Sequence, residues 1–204
     1  MKKKQHEVMI EKILMDEPCV HTEVYMGRKS YNGEDRVISQ IPNVYSSNSY
    51  LTLEQMTVNA QYILDYLREG GWTKNAVCGM LGNIQTESSI NPELWEDLDG
   101  NNLSKGFGLV QWKPASKFID WANENKLFYF NINTQLMRLF YEIKNEIQWC
   151  NTSKYPLPFS KFIKSTQTPS YLAAAFMYNY VQPQSYSHLS TRQEQATYWY
   201  NNLI

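Results

Sequence analysis

Apolar and polar positions follow a helical period over most of this chain, and the breaks in the period mark where elements should begin and end. Thr52-Leu53-Glu54-Gln55 has the form of a capping box, and Met56, Ala60, Ile63, Leu64 and Leu67 behind it fall on one stripe. Gly70-Gly71 ends that predicted helix. A second helix is expected after Thr73, with Ala76, Val77, Met80, Leu81 and Ile84 at helical spacing. From Ser88 to Lys105 the period gives way to Asn-Pro, Asp-Gly and Asn-Asn steps, which predict a loop or small hairpin. Helical signals return from Pro114 to Asn125 and from Thr134 to Trp149, the latter with a stripe of Leu136, Phe140, Ile143 and Ile147. Thr168-Pro169 reads as a cap with proline at the first helical position, leading through Leu172, Phe176 and Met177. A second capping-box pattern, Thr191-Arg192-Gln193-Glu194, predicts a last helix carrying Ala196, Trp199 and Leu203.

Residues 1–49 differ from the rest. Stretches such as Tyr31-Asn32-Gly33-Glu34 and Tyr45-Ser46-Ser47-Asn48-Ser49 are polar, rich in turn residues and without helical period. The expected organisation is an N-terminal arm or small strand-bearing appendage over 1–49, not needed for the chemistry. A mostly α domain over 50–204 follows, with one irregular excursion after its second helix.

Composition narrows the range of functions. Nineteen Lys and Arg against twenty Asp and Glu leave a net charge of −1, so there is no general basic field for nucleic acid or an anionic lipid surface. No apolar run approaches the roughly 18 residues of a membrane span, and the Met1-Lys2-Lys3-Lys4 start leads into a polar segment, so neither membrane insertion nor a signal peptide is expected. Cys19, Cys78 and Cys150 are too few and too dispersed for a disulfide framework or a zinc site, and are expected as small buried hydrophobes. His6, His21 and His188 form no ligand pair, so no metal and no cofactor are called for. The chain is 14% aromatic, and aromatic faces suit the C–H faces of sugar rings.

Candidate chemistry gathers around Glu87. On a wheel of about 100° per residue, Ala76, Met80, Ile84 and Glu87 fall within about 80° of one another, so the carboxyl closes the apolar face of the second helix at the edge of the excursion. A desolvated carboxyl favours its neutral, proton-donating form, and protonating the leaving oxygen is what cleavage of a glycosidic bond requires. Replacing such a group by its amide should then leave stability unchanged or slightly raised. Gly79 and Gly82 each weaken the helix by about 1 kcal/mol relative to Ala, which points to close approach of another backbone. Beyond the excursion, Gly106-Phe107-Gly108-Leu109-Val110-Gln111-Trp112 reads as a tight segment lining a cleft. There Gln111 could exchange hydrogen bonds with an acetamido group and Trp112 could pack on a ring.

These residues carry a family resemblance. Asn59 to Ile63 and Gly71-Trp72-Thr73, then Cys78-Gly79-Met80-Leu81-Gly82-Asn83-Ile84-Gln85-Thr86-Glu87-Ser88 with Ile90-Asn91-Pro92, then Gly106 to Trp112, together resemble the phage tail-lysozyme family. The resemblance covers roughly residues 50–204. It implies a lysozyme-like fold, a muramidase cutting between N-acetylmuramic acid and N-acetylglucosamine, and Glu87 as catalytic acid. Where family members often carry a Tyr-Glu-Arg-Pro-like segment, this chain has Tyr180-Val181-Gln182-Pro183, which keeps the Tyr and loses the Glu. Among the loop carboxyls Glu93, Glu96, Asp97 and Asp99, the setting of Asp99 resembles relatives most closely and nominates it as second catalytic carboxyl.

The expected site is therefore Glu87 and Asp99 for catalysis, with Phe107, Gln111, Trp112 and Tyr180 holding substrate and no metal. The expected partners are bacterial peptidoglycan and, through the arm, other tail proteins of a virion that opens a host wall. A free endolysin, a lytic transglycosylase and a non-catalytic wall-binding tail module stand as alternatives.

Overall fold

The computed structural model describes residues 43–204, apart from the side chain of Ile143, and the backbone of two strands, Gly27–Tyr31 (β1) and Glu34–Ile38 (β2). The strands pair antiparallel with Tyr31 opposite Glu34. Cys19, His6 and His21 lie outside the described residues. The described chain is mostly helical, as the periodicity predicts.

Local chemistry sets the first two helices. In α1, Leu53–Glu69, the Thr52 hydroxyl accepts from Gln55 N and the Gln55 side chain accepts from Thr52 N at 2.9 Å, closing the expected box. Ala60, Ile63, Leu64 and Leu67 are buried along its inner face, and Gly70 caps it. In α2, Lys74–Ser88, the Thr73 hydroxyl accepts from Ala76 N at 3.1 Å. Every residue from Ala76 to Ile84 is buried, so α2 is wrapped on all sides rather than along one stripe.

The wrapping comes from α1 and two later helices, α6 (Pro169–Phe176) and α7 (Leu189–Asn202). The two glycines let them in. A Cβ on Gly79 would sit 2.7 Å from the Leu172 Cβ, and one on Gly82 would sit 2.7 Å from Ala196 N and overlap the Arg192 carbonyl oxygen. Between them in sequence lie α3 (Ser116–Glu124), α4 (Ile132–Asn145) and the single turn α5 (Phe159–Phe162). Thr168 caps α6 through Tyr171 N with Pro169 at its start, and the helix runs on into a π turn, Met177–Val181.

Some element ends depart from expectation. α4 stops at Asn145 because Glu146 turns left-handed (φ 50°) and Ile147 N bonds back to the Glu142 carbonyl, the geometry that closes a helix. Ile147 is left exposed, and Trp149 stacks on Phe159 with centroids 4.6 Å apart instead of extending the helix. α7 begins at Leu189: Arg192 N already donates to the His188 carbonyl, so Thr191 lies inside the first turn and does not cap. Of the two described cysteines, Cys78 is buried, with its thiol pushed up to about 12 by desolvation, whereas Cys150 is exposed.

Residues 89–113 form the excursion, with a 3-10 turn at Glu96–Leu98 and two bridges that join Phe107 to Trp95 and to Trp112. Stretch 43–49, placed in the arm by composition, is tied to it. Asn91 Nδ2 donates to the carbonyls of Ser47 and Ser49, and Asn48 bonds Trp95 N and the Leu98 carbonyl.

Candidate active site

A cleft of about 390 Å³ opens between the end of α2, the excursion and the π turn. Its size falls within the usual range for small-ligand sites, about 300–1,000 Å³. Glu87 lines it from the last turn of α2, with Glu96, Asp97, Gln111, Trp112 and Lys113 from the excursion and Tyr180 and Val181 from the π turn.

Glu87 is on the apolar side of its helix and its side chain is 20% exposed, but it is not isolated. Arg192 of α7 donates to its Oε1 at 2.7 Å and to the Asn83 side chain at 3.1 Å. Arg192 is itself buried and its Nε–H has no partner, so Glu87 and Asn83 are what offset the burial of its charge. This differs from the lone desolvated carboxyl expected from the helix wheel. The reason is a contact across 105 residues, which periodicity within one helix cannot register. Among the described residues, nothing donates a hydrogen bond to Oε2.

The other nominated residues separate into those at the cleft and those away from it. Gln111, Trp112 and Tyr180 are on its lining; Asp99 and Phe107 are not. The Glu96–Leu98 turn explains Asp99. Asp97 and Leu98 adopt left-handed φ of 57° and 58°, which leaves Glu96 and Asp97 on the cleft and carries Asp99 past it. Asp99 accepts from Asn102 Nδ2 at 2.7 Å and pairs with Lys105 at 3.2 Å, and these partners hold its carboxyl below the usual range. Phe107 is fully buried, with rings of Trp95 and Tyr129 against it at 4.6 and 5.5 Å.

Glu96 is the excursion's anchored carboxylate. Lys113 Nζ donates to its Oε1 at 2.6 Å and the Gly106 N–H to its Oε2 at 2.7 Å. The Lys113 bond is the chief cause of a carboxyl held below its ordinary value; partial burial opposes it and the Gly106 N–H adds to it.

Gln111 works differently from the expectation that it both donates and accepts. Its Nε2 donates to the carbonyls of Leu94 and Gly108, each at 3.0 Å, so both amide hydrogens hold the excursion together and only Oε1 is left as an acceptor. Gln111 itself has φ of 53°, an uncommon conformation for a residue with a side chain.

Behind Trp112 and Tyr180 lies a buried carboxylate the sequence reading did not single out. Glu142 of α4 accepts from Trp112 Nε1 and Arg138 Nε, both at 2.9 Å, and from the Tyr180 hydroxyl at 2.5 Å. Burial, with the Glu142 charge acting the same way, pushes the Tyr180 hydroxyl well above its ordinary value and keeps it a donor. A legible signal existed for this pair: Arg138 and Glu142 are four apart on α4, flanking the buried Leu139. Arg192 had no such local signature.

With the cleft in view, comparison with known proteins places the chain. Residues 58–203 match the phage tail lysozyme family, and the chain belongs to that family. Over 159 residues it is 49% identical to Morphogenesis protein 1 of Bacillus phage B103, an alignment that covers 78% of this chain and 43% of that protein. The chain thus matches less than half the length of that relative. Among the described residues, no helix is long and apolar enough to cross a membrane.

Proposed function

We propose that the protein is a muramidase that cleaves the glycan of bacterial peptidoglycan between N-acetylmuramic acid and N-acetylglucosamine. The observation that carries the reading is Glu87: a largely buried carboxyl at the end of a wrapped helix, on a cleft that also holds the anionic Glu96. Arg192 fixes the orientation of Oε1, and when the carboxyl is protonated Oε2 hands its proton to the glycosidic oxygen as the C–O bond breaks. The sugar left behind becomes oxocarbenium-like, and a carboxylate across the cleft stabilises that charge before water completes hydrolysis. Glu96 fits this second part better than Asp99, because it is on the cleft and its two anchors hold it ionised. Gln111 Oε1 accepts from substrate, while Trp112 and Tyr180, with Phe107 behind them, shape the wall.

Membership of the tail lysozyme family, and a relative named as a morphogenesis protein, support a place in a phage virion that opens the host wall at infection. In this reading peptidoglycan is the substrate, and the segment before residue 43 meets other tail proteins.

Glu87→Gln tests the reading. General acid catalysis contributes about 10²–10⁴-fold, so turnover of purified peptidoglycan should fall by that order. The amide also removes the charge partner of Arg192, and a loss of about 1–3 kcal/mol in stability should accompany it, in contrast to the unchanged or slightly raised stability expected for a lone carboxyl. Mass spectrometry of wild-type digests should find reducing N-acetylmuramic ends, whereas anhydro ends would mean a transglycosylase. A folded Glu87→Gln protein that cuts at the wild-type rate would end the assignment.

A further inference from the structure

A glycan cleft needs an open aromatic face as well as an acid, and the cleft's rings differ sharply in what they can offer. Four aromatic side chains line it: Tyr50, Trp95, Trp112 and Tyr180. Three of them are committed to the protein. Trp95 is 6% exposed and packs on Phe107 at 4.6 Å, Trp112 is 5% exposed and stacks on Phe118 at 4.5 Å, and Tyr180 is 3% exposed and stacks on Phe176 at 4.6 Å. Tyr50 is 66% exposed.

Tyr50 is also held by firm backbone on both sides. Before it, the Ser49 carbonyl accepts from Asn91 Nδ2 at 2.6 Å, and Asn48 is bonded to Trp95 N at 3.1 Å. After it, Leu51 is buried and Thr52 caps α1. With the backbone already anchored, a ligand that covers the ring has only its side-chain rotamers to order and no loop, which suits a binding platform.

We propose that Tyr50 is the sugar-stacking platform of the cleft, taking the apolar face of an N-acetylated hexose next to the bond that Glu87 acts on. The inference rests on the muramidase reading and adds the residue that grips the glycan. It also gives the 43–52 stretch a role: through Asn48 and Asn91 it sets the ring at the cleft mouth and braces the excursion opposite.

The test uses the full chain carrying Glu87→Gln, which can hold an oligosaccharide without cutting it, and a tetramer of N-acetylglucosamine as probe in calorimetry. Adding Tyr50→Ala should weaken binding about two- to tenfold, the range a lost ring contact produces. Tyr50→Phe, which keeps the ring, should restore most of the affinity. In the catalytically intact chain, Tyr50→Ala should raise KM for soluble peptidoglycan fragments with little change in kcat, because the residue grips substrate without moving a proton. Circular dichroism should show the fold unchanged, as expected for so exposed a side chain.

Equal affinity with Tyr50→Ala, or an equal loss with Tyr50→Phe, would overturn the stacking role while wild-type cutting left the Glu87 reading standing. A wild-type chain that does not cut peptidoglycan, together with a Glu87→Gln chain that does not bind the tetramer, would overturn both.

Discussion

The two walls of the cleft are built on opposite physical plans. The helical wall, formed by the end of α2 and the π turn, rests on buried charge: Arg192 against Glu87 and Asn83, and Glu142 collecting Trp112, Arg138 and Tyr180. The excursion wall is pinned at Leu109 and Trp112 by buried bonds to Gln135 and Glu142, but around Glu96 it is made of turns and left-handed residues tied by ion pairs that water reaches, such as Lys113 to Glu96 and Lys105 to Asp97. Buried pairs are costly to break because the surviving charge has no water to turn to. Exposed pairs are worth little and are screened by salt. Glu87 therefore sits on a rigid frame and Glu96 on an adjustable one.

The largest expected effect breaks the helical wall at Glu142. Glu142→Ala would leave the Arg138 charge buried without its carboxylate and strip the partners from Trp112 and Tyr180. A loss of about 3–5 kcal/mol is expected, seen as a fall in the urea midpoint. Arg138 also lies against the rings of Trp121 and Tyr141 at 5.2 and 5.0 Å, contacts that hold its guanidinium in place and prevent it from swinging out to water. A loss below about 1 kcal/mol would mean the network does not support the wall.

A smaller effect should follow from Gly82→Ala. The added methyl has no room between α2 and α7, because it meets Ala196 N and the Arg192 carbonyl. Backbone cannot step aside as a flexible side chain can, so α7 must shift, at about 1–3 kcal/mol. Arg192 is carried on that helix, so the shift should also misplace its bond to Glu87 and lower activity beyond what the stability loss accounts for. Gly82→Ala with full activity and an unchanged melting temperature would show that α7 is less tightly seated than these distances indicate.

The same contrast explains what the sequence made legible. Caps at Thr52, Thr73 and Thr168 were readable because each is a contact over three residues. The place of Glu87 followed from the period of its own helix, and the glycines of α2 announced a close approach without saying by what. What escaped was either long-range or irregular. Arg192 meets Glu87 across 105 positions, and its neighbour Thr191 suggested a cap that the earlier start of α7 overrides. Asp99 and Glu96 are three residues apart in a turn with two left-handed residues, where no period tells which carboxyl faces inward. Phe107 is off the cleft because it is packed under Trp95 and Tyr129, and a sequence does not say which ring is packed on another. Tyr50 was not singled out at all, since it stands between a polar stretch and a cap and belongs to neither stripe.

The smallest expected effect sharpens the comparison from the excursion side. Glu96 is held below its ordinary carboxyl value of 4.5, chiefly by Lys113. Since its pKa is lower in the folded chain than in the unfolded one, it contributes stability above the unfolded value and loses that contribution as pH falls through the lower folded value. With the side chain one-third exposed, the pair should be worth no more than about 1 kcal/mol. Lys113→Met should lower stability by up to that amount at pH 7 and flatten the acid side of the stability profile, read as urea midpoints from pH 7 down to pH 3. Raising the salt to about 1 M, where the screening length is about 3 Å, should erase most of the difference between Lys113→Met and wild type. The penalty of Glu142→Ala should persist at the same salt, because ions do not reach a buried pair. If Lys113→Met left the acid limb unchanged, or if salt abolished the Glu142 penalty as well, the division into a rigid and an adjustable wall would be wrong.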